Sequence, residues 1–148
     1  MTVKAILAAK GREVVSIEPI ADLTAAAKLL TSRRIGALVV LDAGGRLVGI
    51  LSERDIVRVI SESGSSVLQL PVARVMTRNV STCDVNDSIS SVMDRMTIGK
   101  FRHMPVLDNG RLAGLVSIGD VLKLNLEIIR EHIHRLSASF AEVNLMRL

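Results

Sequence analysis

Arg46-Leu47-Val48-Gly49-Ile50-Leu51-Ser52-Glu53-Arg54-Asp55 returns 65 residues further on as Arg111-Leu112-Ala113-Gly114-Leu115-Val116-Ser117-Ile118-Gly119-Asp120. The strings that precede them also match: Val39-Val40-Leu41-Asp42 with the turn Gly44-Gly45, and Pro105-Val106-Leu107-Asp108 with the turn Asn109-Gly110. Two apolar runs around such a turn predict a tight hairpin, because these residues tolerate the positive backbone angles it needs. Each hairpin then runs into a helix that starts near Glu53 or Ile118.

Upstream, Leu23, Ala26, Ala27 and Leu30 correspond to Ile89, Val92, Met93 and Met96, both sets at the spacing of one helix face. Asp22 and Asp87 stand where a carboxylate caps a helix. A short strand is expected before each helix, near Val14 to Ile17 and Val80 to Thr82. Short helical leaders come first in both copies, with Val3, Ile6 and Leu7 mirrored by Val72, Val75 and Met76. The reading is an α/β (α+β) chain with two pseudo-symmetric strand-helix-strand-strand-helix repeats. They occupy residues 1–60 and 72–125, with a linker at 61–71 and a C-terminal helical extension at 126–148. Each copy is too small for a full core, so the two are expected to share one.

Composition narrows the chemistry. With 49% hydrophobic residues but no Trp, no Tyr and two Phe among 148 residues, the core is aliphatic and aromatic stacking on nucleic acid is disfavoured. A formal charge of +4 suits an anionic ligand without demanding DNA or RNA. The single Cys83 cannot form an internal disulfide, and no apolar run is long enough for a membrane span or a signal peptide. A cytoplasmic setting is expected.

In both copies a strand passes directly into Ser-x-x-Asp at a helix start, Ser52 to Asp55 and Ser117 to Asp120. Unpaired N–H groups and the helix dipole favour an anion there, and a serine hydroxyl can donate to a phosphate oxygen. The Asp, one turn on, can accept both hydroxyls of a ribose. Phosphate plus ribose makes a nucleotide. The same pattern is equally a capping box, with no ligand at all, and the two readings are compatible. Around the second motif lie Lys100, Phe101, Arg102, His103, Met104 and Pro105, where Arg102 could clamp a phosphate. The first copy has Ile35, Gly36 and Ala37 in their place, but carries Arg54 where the second has Gly119, so the sites are expected to differ.

No activated nucleophile, P-loop or dinucleotide fingerprint is present, and no catalytic cofactor is expected. His132 and His134 are two apart on a helix and face different sides, so no metal site is predicted. Leu122, Leu126, Ile129, Ile133, Leu136, Phe140 and Val143 are spaced by four and three in turn, a heptad seam. Residues up to Ile129 are expected to pack on their own domain, and Ile133 to Val143 on a partner subunit.

The doubled Gly-x-x-Ser-x-x-Asp strings, Arg102-His103-Met104-Pro105-Val106 and Val75-Met76-Thr77 together resemble a CBS domain pair over about residues 1 to 125. The chain looks most similar to stand-alone bacterial two-CBS proteins. That resemblance implies a regulatory module that binds adenosine compounds between its repeats, forms a disk-like homodimer and signals to a regulated protein it does not name. AMP is the first expectation because the clefts are short, with NAD(H), ADP, ATP or S-adenosylmethionine next. It also implies that Asp55 and Asp120 hold ribose, that Ser52 and Ser117 hold phosphate, and that strand residues around Ser16, Ile17 and Thr82 hold adenine. The competing reading is a structural dimerisation module whose clefts are empty.

Overall fold

The computed structural model describes residues 1–147. The chain runs through α1 (Val3–Lys10), β1 (Ser16–Ile17), α2 (Leu23–Arg33), β2 (Ala37–Leu41), β3 (Leu47–Ser52) and α3 (Glu53–Ser63). Two short 3-10 turns, Ser65–Gln69 and Val72–Arg74, lead to β4 (Cys83–Asp84), α4 (Ile89–Gly99), β5 (His103–Asp108), β6 (Arg111–Ser117) and α5 (Ile118–Met146).

Each repeat folds one three-stranded sheet, β1-β2-β3 or β4-β5-β6, with the first pair parallel and the second antiparallel. The hairpin registers break at matching places, between Val40 and Leu41 and between Val106 and Leu107. Asn109 and Gly110 both take positive φ, as a two-residue hairpin turn requires, whereas in the first hairpin only Gly45 does.

Several local expectations need correction. Asp22 caps α2, accepting a hydrogen bond from the Ala25 N–H at 2.8 Å, but α4 is capped by Ser88, whose hydroxyl accepts from the Ser91 N–H at 3.0 Å. Asp87 lies one residue too early to cap, and instead closes the turn after β4 by accepting from the Asp84 N–H at 2.9 Å. The first strand of the second repeat is Cys83–Asp84, just past the stretch expected from Val80 to Thr82. Within the expected linker 61–71, α3 runs on to Ser63 and a 3-10 turn, Ser65–Gln69, follows. The second leader is likewise a 3-10 turn followed by Val75 and Met76 rather than an α-helix.

The buried residues form two clusters, one on each sheet, and each is completed by the leader of the other repeat. Val3, Ile6 and Leu7 of α1 pack with Val92, Met96, Met104, Val106 and Val116 of the second repeat. Val72 and Met76 pack with Leu23, Leu30, Leu38, Val40 and Leu51 of the first. Backbone hydrogen bonds secure the exchange, from the Val3 N–H to the Asp87 carbonyl (3.0 Å) and from the Val72 N–H to the Ala21 carbonyl (2.7 Å). Glycine makes room for both leaders: a Cβ on Gly114 would lie 2.6 Å from Leu7 Cδ2, and one on Gly49 would lie 2.5 Å from Met76 Sδ.

The expected packing of the heptad seam is also corrected. Not only Ile133 to Val143 but also Leu122, Leu126 and Ile129 stand open, the seven residues being 45% to 71% exposed. Val121 is the one α5 residue counted as fully buried, because the helix leaves its own domain within its first turns. No helix among the described residues is long and apolar enough to cross a membrane.

Candidate functional site

Both Ser-x-x-Asp strings form complete capping boxes. Asp55 Oδ2 accepts from the Ser52 N–H at 2.9 Å while Ser52 Oγ accepts from the Asp55 N–H at 3.2 Å. Asp120 Oδ2 accepts from the Ser117 N–H at 2.8 Å while Ser117 Oγ accepts from the Asp120 N–H at 3.1 Å. The cap therefore uses one carboxylate oxygen of each Asp and leaves Oδ1 outside it. The residue that enters the first strand of the same hairpin is tied to each helix start, since the Glu53 N–H donates to the Gly36 carbonyl (2.9 Å) and the Ile118 N–H to the Arg102 carbonyl (2.8 Å).

These helix starts open on two clefts. The first, about 430 Å³, is lined by Gly36, Ala37, Ile50, Ser52, Glu53, Arg54, Asp55, Arg58, Thr77, Lys100, Phe101, Arg102 and His103. Four cations, Arg54, Arg58, Lys100 and Arg102, face two carboxylates there, Glu53 and Asp55. Arg58 approaches Asp55 Oδ1 at 3.4 Å, and the Thr77 and Ile50 backbones pair at 2.9 and 3.0 Å along one wall.

The second cleft, about 350 Å³, is lined by Lys10, Glu13, Val14, Val15, Arg34, Ile35, Gly36, Ala37, His103, Leu115, Ser117 and Asp120. Lys10 Nζ donates to Asp120 Oδ2 at 2.6 Å and to the Leu115 carbonyl at 2.8 Å. Burial alone would raise the Asp120 carboxyl, but the hydrogen bonds from Lys10 and Ser117 and the Lys10 charge together hold it below the usual carboxylate range.

Gly36, Ala37 and His103 belong to both clefts. The His103 ring fills the space beside Gly36, where a Cβ would lie 3.1 Å from its Cε1. Burial, followed by the Lys10 charge, lowers the imidazole pKa against the opposing pull of Glu53 and Asp120. Cys83 is inert by comparison, its thiol pushed up to about 11 by burial and by Asp87.

Of the residues singled out from sequence, Gly36, Ala37, Ser52, Arg54, Asp55, Lys100, Arg102 and His103 converge on the first cleft. Ile35, Gly36, Ala37, His103, Ser117 and Asp120 converge on the second. Met104 and Pro105 are buried in β5, Met104 within the second core. Ser16 and Ile17 pair with Val39 and Val40, and Ile17 leans on the first core. The Thr82 carbonyl accepts a hydrogen bond from Arg95. None of these five lines either cleft. The strand-side wall of the second cleft is instead Val14 and Val15, just before β1, and that of the first is Thr77. Arg58, one turn beyond Asp55, was legible from its helical spacing; Lys10 carried no sequence signal, because its partner lies 110 residues away.

Two pseudo-equivalent sheets, leaders exchanged between them and paired clefts at capped helix starts define a tandem-repeat class of fold. The CBS domain family model matches residues 3–62 and 72–127, so the chain belongs to the CBS domain family and carries the domain as a pair. A CBS-domain containing protein from Agrobacterium tumefaciens is 46% identical, its crystal structure superposing with a TM-score of 0.83 over 84% of this chain and 99% of that one. An uncharacterized 17.7 kDa protein of Acidianus ambivalens is 34% identical over 117 residues, which is 78% of this chain and 70% of its own. Other curated relatives are longer, the match spanning 57% of one and 18% of several more. A further CBS domain pair, 27% identical with a TM-score of 0.74 over 84% of this chain and 94% of its own, was solved in complex with 5′-methylthioadenosine and S-adenosyl-L-methionine.

Proposed function

We propose that this CBS pair is a regulatory, non-catalytic sensor whose two clefts bind adenosine nucleotides, AMP foremost. The carrying observation is the repeated helix start, where an Asp with one carboxylate oxygen outside the cap lines a cleft that also holds cations. Asp55 and Asp120 would accept the ribose hydroxyls, while the helix N–H groups, Ser52, Ser117 and the cations Arg54, Lys100 and Arg102 would meet phosphate. The adenosine ligands of the solved CBS pair support this class of ligand. Clefts of 430 and 350 Å³ suit mononucleotides.

One observation favours a second ligand, NAD(H): the clefts share Gly36, Ala37 and His103, so a dinucleotide could place one half in each. Calorimetric titration of nucleotide-free protein separates the cases. AMP should bind with up to two sites per chain, and NAD with one. Asp55→Ala and Asp120→Ala should each weaken one site by about tenfold or more, the loss of charge-assisted hydrogen bonds. Folded protein that binds none of AMP, ADP, ATP, NAD(H) or S-adenosylmethionine would instead support a structural dimerisation module.

We further propose that the signal passes through a homodimer to a regulated protein, with the α5 seam as subunit contact. A helix extension that lacks tertiary support is marginal in water, whereas a second copy laid along a heptad seam buries it. Ligand binding would act by favouring one arrangement of repeats or subunits over another.

A further inference from the structure

The second cleft already carries a cation on the carboxylate that the nucleotide reading gives to ribose. Lys10 Nζ lies 2.6 Å from Asp120 Oδ2 and 2.8 Å from the Leu115 carbonyl. Its helix is anchored by Val3, Ile6 and Leu7 in the second core, so the ammonium is delivered to the cleft by a fixed element. The first cleft is built differently. There the carbonyl of Ile50, the counterpart of Leu115, accepts the Thr77 N–H, and Arg58 approaches the oxygen of Asp55 that the cap leaves over.

Asp120 Oδ2 already accepts from the Ser117 N–H and from Lys10, so a ribose that donates one hydroxyl to each carboxylate oxygen must compete with this ammonium for Oδ2. An uncharged nucleoside offers the displaced cation nothing in return, so the cost is uncompensated. A phosphorylated nucleoside offers oxygens to Lys10 and to Arg34, which lines the same cleft. Glu13, the other carboxylate in the lining, is approached by Arg33 at 3.6 Å. We propose, building on the reading of these clefts as adenosine sites, that Lys10 is the specificity residue of the second cleft and makes it select a phosphorylated nucleoside over the nucleoside itself.

Methyl-resolved NMR titrations with AMP and with adenosine test this on the full chain. Leu115 and Val15 report the second cleft and Ile50 the first. In the wild type, AMP should bind the second cleft about tenfold or more tightly than adenosine, the scale of a charge-assisted phosphate contact. In Lys10→Met, adenosine should bind about threefold more tightly and AMP more weakly, bringing the two within about a factor of two, as for loss of a half-exposed ion pair and a phosphate contact. Lys10→Arg should keep the selectivity. An AMP-to-adenosine ratio unchanged in Lys10→Met overturns the role of Lys10 while leaving the adenosine site standing. If neither ligand moves Leu115 or Val15 in the wild type or in well-dispersed Lys10→Met, the adenosine reading of this cleft fails, and the selectivity with it.

Discussion

At the scale of the residue, His103 links the clefts to pH. In the unfolded chain an imidazole takes its proton near pH 6.5, whereas in the fold burial and the Lys10 charge delay that to lower pH. Between those two points the unfolded chain holds more protons, so stability is complete above about pH 6.5 and declines as the pH falls below it. Urea unfolding at pH 7.5 and 5.5 should show a lower midpoint at 5.5, and His103→Gln should flatten the difference. Asp120 adds a loss of the same sign but only below the ordinary carboxylate range, since its folded carboxyl is held lower still. A profile that stays flat between pH 7.5 and 5.5 in the wild type contradicts the placement of a half-buried imidazole with a lowered pKa between the clefts. At the same scale, each Ser-x-x-Asp string caps its helix with one carboxylate oxygen and leaves the other outside the cap.

At the scale of the element, the exchange of leaders predicts where a defect is felt. Leu7 is buried in the second core although it belongs to the first repeat. Leu7→Ala should cost about 2–5 kcal/mol, as for other buried leucines. Hydrogen exchange should rise in β5 and β6 before β2 and β3. Gly114→Val approaches the same contact from the sheet side, because even its Cβ would sit 2.6 Å from Leu7 Cδ2. That overpacking should cost about 1–3 kcal/mol in chemical denaturation. Equal loss of protection in both sheets would mean that the repeats unfold as one unit and that the exchange does not localise stability. The helix caps divide by the same logic of short distance. Asp22 abuts its helix and caps it, while Asp87, one residue displaced, serves the preceding turn.

At the scale of the whole molecule, α5 is the outstanding surface. Seven apolar residues from Leu122 to Val143 follow heptad spacing and stand open along it. If a second copy covers them, light scattering after size exclusion should give a dimer for the wild type and a monomer for the double variant Ile133→Glu/Phe140→Glu, with helical content reduced once the seam is unpaired. A double variant that remains dimeric would place the subunit contact elsewhere on the CBS pair.

The sequence by itself determined the repeat, its order of strands and helices and the capped Ser-x-x-Asp starts, because each depends on residues within a few positions of one another. Hydrophobic period, turn chemistry and capping are local, and both copies displayed them twice over. Tertiary structure alone decided the rest. Which leader fills which core, why Lys10 reaches Asp120, and why Val14, Val15 and Thr77 rather than Ser16, Ile17 and Thr82 wall the clefts are matters of contact between segments far apart in the chain. So is the exposure of α5 from Leu122 onward, since an apolar stripe is written identically whether its own domain or another chain covers it. Local free energies choose the elements, but only the packing of one repeat against the other brings their functional side chains to a common space.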